Sequence, residues 1–306
     1  MEKQFDRSVE DLGNIVGLEH VNVLVEDQIK ATLFYITGLG LTRDPYLMTS
    51  VDNMWANIGR SQFHLITGKP QVLRGHTGLV VPSLKDLVKR LNRVKPQLAG
   101  TRFDFSEHDG YVEATCPWGN RIRCYGPDKK FGRITMGMPY VEFDVEPGTA
   151  KGIARFYTEI MGAPAKVEKT NSAVTARVGA GNRQELRFRE TDAKPAKYDG
   201  HHIQVYVANF SGPHKKLLDR KLITEESDQH QYRFENIVDL DSGKPLFTIE
   251  HEVRSMRHPL YARPLVNRNA AQTNRNYAPG NDAWIIDEPP IPLDDVPMRR
   301  PARVVS

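Results

Sequence analysis

The sequence predicts an α+β fold in which one strand–helix–strand–strand–strand unit occurs four times and the units pair into two domains. An alternating strand at residues 20–25 recurs at 140–145, 120 residues later. The Phe-Tyr pair in the helix that follows recurs as well, at 34–35 and at 156–157. A duplication of this kind, in a chain of 306 residues, fits two domains.

Two further copies of the unit lie between and after these. Residues 76–81 form an alternating strand, and the helix at 84–91 has apolar residues at i, i+3, i+4 and i+7. Ser83 is placed to cap that helix. The fourth copy begins with the strand at 202–207.

The rest of each unit consists of alternating segments separated by glycine turns, which we expect to be strands. These segments are 54–58, 62–67, 111–115, 121–125, 173–178, 185–189, 232–239 and 246–253.

Four segments make up the predicted organisation. They are an N-terminal extension at 1–16, an N-terminal domain of two units at 17–128, a C-terminal domain of two units at 138–256 and a proline-rich arm at 257–306. The arm contains eight prolines and no sustained periodicity. We expect it to wrap a domain or a partner subunit, with the Trp-Ile-Ile at 284–286 as its anchor; a partly disordered tail is the alternative.

Composition excludes several classes of protein. The net charge of +4 is too small to indicate nucleic-acid binding. No run approaches the roughly 18 apolar residues of a membrane span, and the first residues do not resemble a secretory signal. The only two cysteines, Cys116 and Cys124, lack metal-ligand spacing and are expected to be buried thiols. We therefore expect a cytoplasmic protein that binds neither nucleic acid nor membranes.

Several motifs resemble one superfamily. The stretches LEHVNVLVED, FYITGLGL with its duplicate FYTEIMGA, FHLITG and CPWGNRIRCYGP are similar to those of the vicinal oxygen chelate superfamily, over residues 17–255. Its members include glyoxalases, bleomycin- and fosfomycin-resistance proteins and type I extradiol dioxygenases. The resemblance implies paired units that curl into cups, with a divalent metal at the base of a cup. It also implies ligands on the first and last strands of each unit, and a small-molecule substrate with vicinal oxygens.

Eight positions of this chain correspond to those ligand positions. In the N-terminal pair of units they are His20, His64, His76 and Arg123. In the C-terminal pair they are Tyr140, Glu185, His202 and Glu250. The spacings of 44 and 47 residues in the first pair match 45 and 48 in the second.

The C-terminal cup is the preferred metal site, with Glu185, His202 and Glu250 as ligands. Two carboxylates and an imidazole suit Fe²⁺, which we favour, or Mn²⁺, Ni²⁺ or Zn²⁺. Glu252 shares a strand face with Glu250, so either of the two is a candidate ligand.

Two tyrosines are the candidate catalytic residues of this cup. Tyr140 stands where extradiol dioxygenases have their first histidine, and it is a fourth ligand or a catalytic acid. Tyr232 is the second candidate proton donor.

The N-terminal cup ranks second as a metal site. His20, His64 and His76 suit Zn²⁺ or Fe²⁺, but the cation of Arg123 repels a metal. Arg123 is therefore a candidate for binding a substrate anion, as is Arg254 just past the last strand.

The resemblance implies a metal-dependent enzyme most like a ring-cleaving extradiol dioxygenase that acts on an aromatic diol. The substitution of Tyr140 for the first histidine keeps a non-redox isomerase, lyase or hydrolase of the glyoxalase type as an alternative. A metal-free protein that sequesters a small molecule is the alternative from another functional class. This alternative is favoured if arginines neutralise the carboxylates of the predicted metal ligands. A homo-oligomer is expected.

Overall fold

The computed structural model describes residues 5–46, 52–170, 173–194 and 196–264, and within them the four predicted units are present. The first unit consists of β1 (Ile15–Asn22), α1 (Gln28–Ala31), β2 (Thr42–Arg43), β3 (Asn53–Ile58) and β4 (Ser61–Ile66). The second consists of β5 (Gly75–Val80), α2 (Leu84–Val94), β6 (Asp104–His108), β7 (Tyr111–Thr115) and β8 (Arg121–Tyr125). The third consists of β9 (Gly137–Val145), α3 (Ala150–Phe156), β10 (Ala165–Lys169), β11 (Val174–Gly179) and β12 (Glu185–Glu190). The fourth consists of β13 (His202–Val207), α4 (Ser211–Asp219), β14 (Ile223–Asp228), β15 (Gln231–Val238) and β16 (Pro245–Ser255).

Shorter helical segments extend or connect these elements. Two π-helical turns, Thr32–Gly38 and Tyr157–Met161, continue α1 and α3 and contain the duplicated Phe-Tyr or its tyrosine. Three 3₁₀ turns are Ser8–Glu10, Lys95–Leu98 and Lys129–Phe131.

The predicted four strands of each unit are all present, but the sequence located only the inner strands and not the outermost one. β7 and β8 match the predicted ranges residue for residue. The four strands that were not singled out are β2, β6, β10 and β14, and each forms an edge of its sheet. Their side chains are largely exposed, so they lack the apolar alternation that marks a half-buried strand.

The units pair differently from the expectation. One sheet has the order β14-β15-β16-β13-β1-β4-β3-β2 and the other β10-β11-β12-β9-β5-β8-β7-β6. The first unit thus pairs with the fourth and the second with the third, contrary to the expected pairing of consecutive units within 17–128 and 138–256. In each sheet, the first strands of the two units lie side by side in the middle and pair in antiparallel orientation. Because all four edges offer the same hydrogen bonds, the repeat alone does not select the partner.

One hydrophobic core joins the two sheets. Phe247 of β16 lies 5.5 Å from Phe143 of β9, measured between ring centroids, and 5.8 Å from Phe188 of β12. The helices cover the apolar face of each sheet, and Ser83 caps α2 as predicted, accepting a bond from the Asp86 amide. The opposite face of each sheet is left to polar side chains and forms a cup.

The chain after β16 crosses back towards the first unit. Arg263 donates to the buried carboxylate of Asp44 at 3.0 Å, and Leu260 packs on Tyr46. The proposed anchor at 284–286 lies outside the described residues.

Two smaller expectations concern the cysteines and membrane helices. Cys116 and Cys124 are both free and buried, as predicted. Among the described residues, no helix combines the length and apolar character that a bilayer crossing requires.

Candidate metal centre

Three histidines from three adjacent strands meet at the base of the first cup, formed by the first and fourth units. His20 is on β1, His64 on β4 and His202 on β13, and one ring nitrogen of each lies within 4.8 Å of the other two. His20 is completely buried and His202 is 7% exposed. The group joins residues that the sequence analysis had divided between an N-terminal and a C-terminal cup.

A polar side chain lies behind the Nδ1 atom of each imidazole. The pairs are His20 with Glu19 at 3.3 Å, His64 with the side-chain amide of Asn22 at 2.7 Å and His202 with Glu250 at 3.3 Å. The three Nε2 atoms are buried and have no hydrogen-bond partner among the described residues, and the nearest carboxylate oxygen to that of His202 belongs to Glu252, at 3.6 Å. A buried polar atom without a hydrogen bond costs about 1–3 kcal/mol, so these three nitrogens are candidates for binding a ligand.

Burial keeps the imidazoles of His64 and His202 neutral. It lowers the pKa of both groups well below the ordinary value, and the neighbouring charges of Arg233 and Arg254 add to the effect. A neutral imidazole is the form that binds a metal.

Glu19 supplies a fixed negative charge beside the group. The register of β1 against β13 shifts between Leu18 and His20, so that Glu19 and His20 both reach the polar side. Burial opposes the ionisation of Glu19, but the bond with His20 and the charge of Arg254 lower its pKa to about 2. Tyr206 also donates to Glu19 at 3.0 Å.

Glu250 and Glu252 both face this cup, as the alternation of their strand predicted, and an arginine holds them. Arg233 of β15 donates to Glu250 and, at 2.6 Å, to Glu252. Burial raises the pKa of Glu250, against the opposing charge of Arg233. Glu250 therefore lies behind His202 and outside the group of three nitrogens, and no carboxylate belongs to that group among the described residues.

Two residues of this cup were not identified from the sequence. Trp55 stacks on His64, with 3.8 Å between ring centroids, and closes one side of the group. Gln204 is fully buried, and neither atom of its amide has a hydrogen-bond partner. Gln204 pairs with His20 in the sheet. Strand alternation places Gln204 on the same face as His202, and this pattern in the sequence could have identified it as a residue of the cup.

The remaining predicted ligands lie in the second cup, formed by the second and third units. His76 Nε2 lies 3.1 Å from the Tyr140 hydroxyl, which in turn lies 2.9 Å from the Tyr125 hydroxyl. Tyr140 is therefore neither a ligand nor an acid beside His202, and His76 does not join His20 and His64.

Ion pairs occupy the other two predicted positions of the second cup. Glu185 accepts from Arg177 at 2.5 Å and from Arg187 at 2.9 Å. Arg123 donates to Glu113 at 2.7 Å. The predicted set of Glu185, His202 and Glu250 is thus not assembled, because its members belong to two different sheets.

The strand register shows which residues of the second cup correspond to those of the first. Gln204 pairs with His20 between β13 and β1, and Gly78 pairs with Tyr140 between β5 and β9. Because Tyr140 corresponds to His20, Gly78 occupies the place of Gln204, and His76 occupies the place of His202. A Cβ atom at Gly78 would lie 2.2 Å from the Tyr140 ring, so this ring fills the space beside Gly78.

The other two predicted functional residues also differ from expectation. Tyr232 lies on the opposite face from Arg233 and packs against Phe210 and His214, each 5.0 Å away between ring centroids, so it does not face the cup. Arg254 lies within β16, and its charge is paired with Glu252 and Glu19.

Comparison with known proteins relies on structure, since no family model and no curated protein matches the sequence. A candidate dioxygenase of Bacillus subtilis is similar with a TM-score of 0.54 and 16% identity, over 89% of this chain and 92% of that one. Glyoxalase I of Zea mays is similar with a TM-score of 0.54 and 11% identity, over 78% of this chain and 92% of that one. At these identities the likeness establishes the architecture alone. The chain has the fold of the vicinal oxygen chelate superfamily, as the resemblance in its sequence predicted.

Proposed function

We propose that this protein is a metal-dependent enzyme whose centre is formed by His20, His64 and His202 and whose substrate is a small molecule with two adjacent oxygens. One observation carries the proposal. One ring nitrogen of each of three imidazoles lies within 4.8 Å of the other two, their buried Nε2 atoms have no hydrogen-bond partner among the described residues, and each imidazole has a polar group beside its Nδ1 atom.

The groups behind the imidazoles have the arrangement that metal-binding histidines need. A ligand histidine donates its second N–H to a carboxylate or carbonyl, which fixes its tautomer. Glu19 and Glu250 are such acceptors for His20 and His202. In His64, the amide nitrogen of Asn22 faces the ring nitrogen. The same tautomer as in the other two histidines requires the amide oxygen of Asn22 at that place, which a 180° rotation of the amide group provides because its N and O ends have the same shape.

The donor set fits a borderline divalent cation. Three imidazoles suit Fe²⁺ or Zn²⁺ better than Mn²⁺ or Mg²⁺, and three protein ligands leave positions for a substrate. When bound, such a cation polarises the two adjacent oxygens of a substrate as a Lewis acid. We favour Fe²⁺, with an aromatic diol as the first substrate class to test; an isomerase of the glyoxalase type is the alternative reaction.

The chain's own residues determine how a substrate is held. Gln204 offers one unused donor and one unused acceptor, which match a substrate hydroxyl or carbonyl. Trp55 gives an apolar wall beside His64 that excludes water and fits a planar ring. Glu19, Arg254 and Tyr206 hold one another and thereby keep the His20 ring in place.

A metal-free binding protein is the second candidate, and one observation favours it. Arg233 pairs with both Glu250 and Glu252, which leaves neither carboxylate free to act as a base.

The proposal is tested by the metal content of anaerobically purified protein. We expect about one equivalent of metal per chain in the wild type and its loss in His20→Ala and His202→Ala. The matched control is His76→Ala, which removes a buried histidine from the second cup and should leave the metal in place. The effect at His202 should exceed the roughly 10- to 100-fold loss of affinity that follows removal of an outer partner.

Two results would contradict the proposal. If His76→Ala loses the metal and His202→Ala keeps it, the centre lies in the other cup. If no sample binds a divalent cation even after reconstitution, the binding-protein candidate is correct. Iron in the wild type leads to oxygen-uptake assays with aromatic diols, and zinc or nickel leads to isomerase assays.

A further inference from the structure

A cleft with an excess of positive charge runs into the second cup. Two adjoining cavities of about 250 and 260 Å³ share Arg121, Asp144 and Thr191 in their walls. The inner cavity is also lined by His76, and the outer one opens beside Arg74. Together they are large enough for a small organic molecule.

Five arginines and two carboxylates line the cleft. The arginines are Arg74, Arg102, Arg121, Arg123 and Arg189, and the carboxylates are those of Glu142 and Asp144. Arg121 pairs with Asp144 at 3.4 Å and Arg123 pairs with Glu113, which lies outside the lining. The other three arginines have no carboxylate within 4.0 Å in the part of the chain that the structure describes, so their charge is uncompensated.

Two of these uncompensated guanidinium groups are held in place by neutral partners. Arg74 lies over the rings of Tyr198 and Phe247, at 5.2 and 4.3 Å, and its buried Nε has no hydrogen-bond partner. Arg102 donates to the carbonyl of Trp118 at 3.3 Å. Cations that are already ordered lose little conformational entropy when an anion binds between them.

Arg189 and Glu142 are the charged groups of the inner cavity that remain without hydrogen bonds. The guanidinium of Arg189 makes none to any described residue, and among the described residues only His76 forms a contact within 4.0 Å of the Glu142 carboxylate, at 3.8 Å, with the charges of Arg187, Arg123 and Arg189 farther away. Burial and the surrounding arginines lower the pKa of His76 to about 3, so at neutral pH it adds no charge. The cavity thus offers a free cation beside a free hydrogen-bond acceptor.

We propose that the cleft of the second cup, with Arg189 beside Glu142 in the inner cavity and Arg74 and Arg102 in the outer one, binds a small oxyanion that carries hydroxyl or ammonium donors next to its charge. A guanidinium binds phosphate and carboxylate alike through paired N–H donors. Both sources share this chemistry, and the test separates them. The site is distinct from the three-histidine centre, since the two lie on different sheets.

The test is isothermal titration of the full-length protein with glycerol 3-phosphate and, in parallel, with glycerate. We expect binding that weakens with added salt, and at least a tenfold loss of affinity in Arg189→Gln and in Arg121→Gln. Arg189→Lys, which keeps the charge, should recover part of the affinity. The matched control is Arg155→Gln, which removes an exposed arginine of α3 that is paired with Glu159 and Asp241.

The outcomes separate this site from the metal centre. His202→Ala should bind the probe as tightly as the wild type does; if it abolishes binding, the anion sits on the metal and the proposal is wrong. Equal affinity in wild type, Arg189→Gln and Arg121→Gln would also overturn it, provided that thermal unfolding shows all three folded. Tighter binding of glycerol 3-phosphate identifies a phosphate ester, and tighter binding of glycerate identifies a carboxylate.

Discussion

The two cups of this protein have the same strand order and opposite chemistry. In the first, three imidazoles come together and their Nε2 atoms have no hydrogen-bond partner among the described residues. In the second, the corresponding strands carry a tyrosine hydrogen-bonded to His76 and carboxylates paired with arginines. The backbone therefore determines where the side chains meet, and a few residues determine which chemical groups meet there.

Gly78 is the residue where the comparison is sharpest. It holds the place of Gln204 and makes room for Tyr140, whose ring also lies under the guanidinium of Arg187 at 3.8 Å. The absence of a side chain on one strand and the large ring on its neighbour are thus linked. His76 stands at the place of His202, but its Nε2 lies beside the Tyr140 hydroxyl instead of beside other imidazoles.

The largest expected effect is on stability, in Gly78→Ala. The added methyl group overlaps the Tyr140 ring and separates its hydroxyl from His76, so we expect the free energy of unfolding to fall by about 2 kcal/mol or more. Chemical denaturation measures this. Gly126→Ala is the control, because nothing lies within 4 Å of its added atom and its backbone is not left-handed. Equal stability of the two variants would show that Tyr140 does not need this space.

A smaller effect of opposite sign is expected in the first cup. Gln204→Leu removes two buried amide atoms without partners, so the metal- and substrate-free protein should gain about 1 kcal/mol. Gln62→Leu is the matched control, from β4 of the same sheet, and it should lose stability because Gln62 donates to Asp44 at 2.6 Å and to Asn57. Denaturant unfolding after chelation checks both. Destabilisation by Gln204→Leu would show that this amide is already satisfied.

The smallest expected effect near neutral pH comes from His76, and it grows as the pH falls. The pKa of His76 is about 3 in the folded protein and about 6.5 when unfolded, so the unfolded state binds more protons between these values. Stability therefore falls as the pH drops from about 6.5 towards 3, by on the order of 1 kcal/mol per pH unit from this group.

His76→Gln isolates this contribution. The variant keeps a hydrogen-bonding group near Tyr140 and has no proton to gain, so its unfolding free energy should depend less on pH by about one proton. The unfolding free energies of wild type and variant are measured at several pH values, and their difference removes the contributions of the other histidines. Parallel curves would mean that His76 is already protonated, or exposed, in the folded state.

Much of the fold was predictable because alternation and repetition are local signals. The inner strands and the cap at Ser83 follow from them, and so do the positions of His20, His64 and His202. The edge strands were missed because they are exposed on both faces. The grouping of ligands was not predictable, since four equivalent strand edges allow more than one pairing and only tertiary packing selects between them.

The order of units in the sheets also determines when each site can form during synthesis. The second sheet is built from one continuous stretch, residues 75–190, and its strands are complete before β13 exists. The first sheet joins β1–β4 to β13–β16 across that whole stretch, so its closure entropy is larger and its formation later. Until then the backbone N–H and C=O groups on the inner edge of β1 have no strand partner and are available to pair with a strand of another chain. His20 and His64 are therefore synthesised long before His202, and a ribosome must translate most of the described chain before the three-histidine group can assemble.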